Sequence, residues 1–214
     1  MARVGILGDW HGDIHFASIV LELLKQNNIT ELYHTGDFGF LWNPNKMGDL
    51  AKLQNVLHNN DQTLYWVDGN HENFTLLNSF PIVDGVRPIT ENIIHMPRGY
   101  RKEIDGNTWL FLGGATSLDR PGRVEGISWW PEEELALSDL YRATEGGYAD
   151  VMVTHDCPSR VEIPGLGRYS WPQEELERAE THRSMLGSIV DEVRPHVLFH
   201  GHFHTRYNWY RVNR

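Results

Sequence analysis

Residues 2–12 read Ala-Arg-Val-Gly-Ile-Leu-Gly-Asp-Trp-His-Gly, a short apolar run that ends in Gly8-Asp9 and then presents His11 before another glycine. A run of this length, stopped by glycine, has the pattern of a buried strand and leaves Asp9 and His11 in the loop at its carboxyl end. Outward from it the same design repeats. Ile14, Ile19, Val20, Leu23 and Leu24 fall at helical spacing over 14–25, and residues 31–35 form a second expected strand that again ends in Gly36-Asp37. Met47, Leu50, Leu53, Val56 and Leu57 mark a second amphipathic helix, and residues 63–67 run as a third strand into Asp68-Gly69-Asn70-His71. Such alternation implies a largely parallel sheet, because parallel neighbours need a crossover long enough to hold a helix.

Further along, short strands are expected at 92–96 and 108–112, and a helix over 131–140 with Pro131 in its first turn. A strand over 149–154 ends at His155, a loop rich in glycine and proline covers 158–172, and a helix covers 173–193. The last expected strand, 196–199, runs into His200-Gly201-His202-Phe203-His204. Neither a repeat nor a linker interrupts the chain, so residues 1–214 are taken as one domain of α/β class.

The formal net charge of -10 over 214 residues argues against broad binding to long nucleic acid, which needs a basic face. Small phosphorylated substrates remain open, since bound cations supply positive charge locally. The single cysteine, Cys157, excludes an internal disulfide and cysteine-rich zinc chemistry. No segment approaches the roughly 20 apolar residues of a membrane helix, and the N-terminal apolar run is shorter than a secretion signal needs. A cytoplasmic protein without a membrane partner is expected.

Five motifs stand where expected strands give way to loops: Gly8-Asp9-Trp10-His11-Gly12, Gly36-Asp37, Gly69-Asn70-His71-Glu72, Thr154-His155-Asp156 and Gly201-His202-Phe203-His204. Loops at the carboxyl ends of parallel strands are where open α/β sheets build their sites. Carboxylate, amide oxygen and neutral imidazole together suit borderline divalent ions: Mn²⁺ foremost, with Fe, Zn, Ni or Co as alternatives. Any one of these motifs arises easily by chance. Their joint order carries the signal.

That order resembles the calcineurin-like metallophosphoesterase superfamily, over residues 8 to 204. The resemblance implies a two-sheet β-sandwich flanked by helices, with a binuclear metal centre at one edge. Carried over by matching position, it implies one ion held by Asp9, His11, Asp37 and His204, and a second held by Asp37, Asn70, His155 and His202. Asp37 has the two carboxylate oxygens needed to bridge ions about 3.5–4 Å apart. Such a pair would polarise a phosphoryl group and activate a shared water for in-line attack on phosphorus. His71 matches the histidine that follows the ligating asparagine, with a role in hydrogen bonding to phosphate or protonating the leaving group.

The protein serine/threonine phosphatase branch continues its second motif as Gly-Asp-x-x-Asp-Arg-Gly, whereas here Phe40 and Leu41 stand in for the aspartate and arginine. Asp68 stands where that branch has an arginine before Gly-Asn-His-Glu. These departures demote the protein-phosphatase reading. Arg120, Arg123 and Ser117 are the candidates for contacting substrate phosphate. Trp10, Trp129 and Trp130 either line an apolar wall or, more simply, pack a core. The first expectation is a phosphodiesterase for small diesters such as cyclic nucleotides. The alternatives are a phosphomonoesterase, including a protein phosphatase, then a nuclease, and last a non-catalytic scaffold.

Overall fold

Side chains alternate across each strand, and here that alternation sorts them into three apolar layers. The computed structural model describes residues 3–45, 47–165 and 170–210. Its first sheet holds β1 (Val4–Leu7), β2 (Glu31–His34), β3 (Thr63–Trp66), β5 (Ile93–His95) and β4 (Arg87–Thr90), in that order. All but β4 are parallel. The second sheet holds β6 (Tyr100–Ile104), β7 (Asn107–Leu112), β8 (Val151–Thr154) and β9 (Val197–Phe199), of which β6 alone is antiparallel to its neighbour.

Tyr33, Val67, Trp109, Phe111 and Val153 face inward and fill the space between the sheets. Their neighbours in sequence point the other way. Leu32, Leu64 and Trp66 pack beneath α1 (Ile14–Gln26) and α2 (Gly48–Asn59) through Ala17, Leu21, Leu50, Leu53 and Leu57. Leu110, Leu112 and Met152 pack beneath α4 (Leu137–Glu145) and α5 (Gln173–Val193) through Ala143, Leu186, Ile189 and Val193. The result is helices, sheet, sheet, helices, with each large buried side chain contributing roughly 1.5–3 kcal/mol. The expected two-sheet sandwich with flanking helices is the fold observed.

Among the described residues, α3 (Phe74–Ser79), β4, β6 and a 3-10 turn over Arg120–Gly122 go beyond the sequence expectation. The helix expected over 131–140 is instead a single 3-10 turn, Pro131–Glu133, followed by an extended step at Glu134 and then α4. Glu133 and Leu135, both buried, turn inward from that step, and a continuous helix cannot place both there. Trp10 and Trp130 are core residues, 2% and 5% exposed. Among the described residues, no helix is long and apolar enough to cross a membrane.

Candidate metal centre

The loops that follow β1, β2, β3, β8 and β9 meet at one edge of the sandwich, and their backbones lock before any side chain is considered. The N–H groups of Asp9, His11 and Gly12 donate to the carbonyls of Gly36, Asp37 and Phe38 at 3.0, 2.9 and 3.1 Å, extending the β1–β2 ladder into the loops. Gly201 N–H donates to the His155 carbonyl at 3.1 Å, and His202 N–H donates to Asp9 Oδ1 at 2.8 Å. Asp9, His11, Asp37, His202 and His204 all hold left-handed backbone, with φ of 54°, 47°, 55°, 72° and 47°. Each costs roughly 1–2 kcal/mol for an L side chain, and such strain persists only where the surroundings over-determine it.

The ligand atoms converge in two groups: Asp9, His11, Asp37 and His204, and then Asp37, His155 and His202, each group lying within 4.8 Å. Asp37 belongs to both and divides its oxygens between them, with Oδ2 3.6 Å from His11 Nε2 and Oδ1 3.3 Å from His155 Nε2. The outer group lies at the surface, where His11 Nε2 and His204 Nε2 are 3.0 Å apart. The inner group is more enclosed: Asp37 is 1% exposed and His155 0%, while His202 is half-buried. Asn70 joins it, its Oδ1 3.1 Å from His155 Nε2.

The chemistry of the inner group suits a cation. His155 Nδ1 is 2.7 Å from the Thr35 carbonyl, which can only accept, so Nδ1 carries a proton and Nε2 faces the pocket. There it meets Asn70 Oδ1 and Asp37 Oδ1, both acceptors. Three lone pairs converge, and only positive charge reconciles them. In the ion-free chain a proton does so: burial disfavours a charged His155, but Asp37 and Asp9 push the ring up to about 10. Burial likewise opposes an ionised Asp37, yet His155, His71 and His202 hold it well below the usual carboxylate range. Burial, reinforced by His155, keeps His202 neutral, as a ligand must be. The donor set of carboxylate, amide and imidazole fits a pair of divalent ions.

Two glycines make this packing possible. Gly36 has φ of 103°, and a Cβ there would lie 2.5 Å from His155 Nδ1; at Gly69 a Cβ would lie 2.1 Å from Asp37 Oδ1. Gly36→Ala should therefore push His155 off its position and weaken divalent-ion binding at least tenfold by titration calorimetry, a displacement at the scale of an outer-shell defect. Gly48→Ala, which meets nothing within 4 Å, is the control expected to bind as wild type.

A family model described as calcineurin-like phosphoesterase matches residues 2–206. The chain belongs to that family. No curated relative matches the sequence. Among solved structures, TT1561 of Thermus thermophilus is 15% identical to this chain, with a TM-score of 0.51 over 94% of this chain and 81% of that one. A structure described as a novel archaeal phosphodiesterase is 18% identical, with a TM-score of 0.41 over 75% of this chain and 78% of that one. The likeness to TT1561 supports the sandwich arrangement.

The residues considered for substrate contact separate in the structure. Arg123 Nη2 lies 3.0 and 3.2 Å from the two ring nitrogens of His71 and 2.8 Å from Asp119 Oδ2. Arg120 points elsewhere, its Nε 3.1 Å from both oxygens of Glu175, the buried carboxylate at the start of α5. Ser117 is buried beside Asn70. His71 sits edge-on to His11 with ring centroids 5.2 Å apart, and its backbone N–H donates to Asp37 Oδ1 at 2.8 Å. Burial, with Arg123 and His11 nearby, lowers the His71 pKa against the pull of Asp37.

Residues in and beside these motifs that were given no ligand role also support the site and its loops. Glu72 Oε1 accepts the N–H groups of Phe38 at 2.8 Å and Gly69 at 3.4 Å, tying the Asp37 loop to the Asn70 loop. Burial and the neighbouring Asp37 push its carboxyl up to about 8. Its place in Gly-Asn-His-Glu was the available signal. His200 supports the last loop through the Gly201 carbonyl and the Tyr207 hydroxyl, at 3.0 and 2.8 Å. Asp13 caps α1, accepting from Phe16 N–H at 2.9 Å.

Proposed function

We propose that this protein is a metal-dependent phosphodiesterase for small diesters, cyclic nucleotides among them, working with two divalent ions, Mn²⁺ first and Fe, Zn, Ni or Co as alternatives. The observation that carries the reading is Asp37, whose two oxygens face two separate ligand groups. Ions held there would polarise phosphoryl oxygens and acidify water between them. Asp9, His11 and His204 would hold the outer ion, and Asn70, His155 and His202 the inner one, with Asp37 shared. The protein's own groups then orient the substrate. Arg123 is the guanidinium placed beside His71, so it meets the phosphate, while His71 offers a ring N–H to a phosphate or leaving-group oxygen.

Preference for a diester follows from the charge supplied. The protein-phosphatase arginines are absent, and what replaces them has other work: Leu41 is 1% exposed in the core, and Asp68 is paired with Arg98 at 2.6 Å. A diester carries one negative charge where a monoester carries up to two, so fewer cations suffice. Arg123→Ala is expected to lower kcat/KM for a diester by about 30-fold, the loss of a charge-assisted hydrogen bond worth about 2 kcal/mol. A cytoplasmic setting belongs to the same reading, supported by the single cysteine, a free buried thiol.

The test is to load stripped protein with Mn²⁺ and follow p-nitrophenol release from bis-p-nitrophenyl phosphate and from p-nitrophenyl phosphate in parallel. Faster diester cleavage supports the proposal, and a strong monoester preference replaces it with a phosphomonoesterase. Turnover of neither, across all the candidate metals, points to a scaffold.

A further inference from the structure

The side-chain amide of Asn70 is two-faced. Turned by half a rotation it would present N–H groups to His155 Nε2, and an amide nitrogen bearing two hydrogens has no lone pair to offer a cation. Its surroundings remove that freedom. Asn70 Nδ2 donates to Ser117 Oγ at 3.0 Å. The Ser117 hydroxyl has one hydrogen, and Glu133 Oε2 takes it at 2.7 Å, so toward Asn70 that oxygen only accepts. Glu133 Oε1 accepts the Ser117 backbone N–H at 2.7 Å, fixing the serine by two bonds to one carboxylate. Asn70, Ser117 and Glu133 are 4%, 1% and 0% exposed, so water does not compete for these bonds. Glu133 is held in turn through its carbonyl, which accepts from Ala115 N–H and from Arg98 Nη2, both at 3.1 Å.

We infer that Ser117 and Glu133 are positioning residues for the inner cation: through Asn70 they aim an amide oxygen at the group formed by Asp37, His155 and His202. The inference rests on the metal reading above and on none of its substrate claims. It also separates the two ions. Asn70 Oδ1 lies 3.1 Å from His155 Nε2, and His155 belongs to the inner group alone, so loosening the amide weakens the inner site and spares the outer one.

The experiment is a Mn²⁺ titration of stripped wild type, Ser117→Ala, Ser117→Thr and Glu133→Gln, read by calorimetry and by the EPR signature of a coupled manganese pair. Wild type is expected to bind in two steps. In Ser117→Ala one step weakens by about 10- to 100-fold, the usual cost of losing an outer-shell partner, the other step stays, and the coupled signal fades. Ser117→Thr keeps a hydroxyl and recovers the weakened step. Glu133→Gln turns an N–H toward one of the two Ser117 donors and weakens the same step. Two wild-type steps in Ser117→Ala overturn the inference, as does equal weakening of both steps, which would mark a general structural defect. A wild type that binds fewer than two ions overturns the metal reading itself, and the inference with it.

Discussion

Asp37→Asn is expected to lower diester turnover by about a thousandfold, the effect of removing roughly 4 kcal/mol of transition-state stabilisation. The substitution barely changes shape. It removes the charge that faces both ligand groups, since Oδ2 is directed at His11 and Oδ1 at His155. A neutral amide also presents N–H groups on one side, which oppose whichever ion lies there. Metal content after dialysis, read by mass spectrometry, should fall from two ions per chain to one or none. Full retention of both ions, with turnover within tenfold of wild type, would sink the assignment of Asp37 as the shared ligand.

The second large effect concerns stability. Arg98→Ala should destabilise the protein by about 3–5 kcal/mol, the cost of leaving a buried charge without its partner. Arg98 donates to Asp68 at 2.9 and 2.6 Å, to Asp139 at 3.2 Å, and to the carbonyls of Glu132, Glu133 and Glu134 at 2.8, 3.1 and 2.7 Å. Burial opposes an ionised Asp68, and Arg98 with His95 is what holds its carboxyl far below the usual range. Without the guanidinium, Asp68, 2% exposed, is left with the His95 contact at 3.2 Å, and burial lowers the pKa of that ring. For a chain of this size the loss corresponds to a fall in Tm of about 6–20 °C by calorimetry. Arg98→Lys should recover only part of it, because an ammonium cannot fork across two carboxylates and three carbonyls. A shift under about 2 °C would mean that the network is solvated.

The residues that converge at the candidate site are legible in the sequence for a local reason. Each sits within a few residues of a buried apolar run, and both run and stop signal are written in adjacent residues, as in Val4 to His11. The strands β1, β2, β3, β8 and β9 are legible by the same logic. β4 and β6 escape it because they read Arg-Pro-Ile-Thr and Tyr-Arg-Lys-Glu-Ile, the polar composition of strands at a sheet border. The 3-10 turn at Pro131 reads as a helix start because proline and three glutamates suit either. What decides between them is where Glu133 and Leu135 must point, and that is a tertiary fact. For the same reason no spacing rule links Ser117 to Asn70, 47 residues away, or Arg98 to Asp68, 30 away. Contacts of that kind leave no periodic trace.

The order of the strands divides the site between two halves of the chain. Everything up to His95 builds the first sheet, everything from Tyr100 onward builds the second, and the chain passes between them once. Asp9, His11, Asp37 and Asn70 come from the first half, while His155, His202 and His204 come from the second. Each candidate ligand group draws on both halves, so an ion in either would join the two sheets at their shared edge. It would tie residue 9 to residue 204, much as a crosslink would, but one that is lost when the ion leaves. Because only the folded chain presents the full candidate ligand set, an ion held there would favour the folded state by mass action. Ion supply would then add to the stability of the packed sheets, beyond any part it has in chemistry.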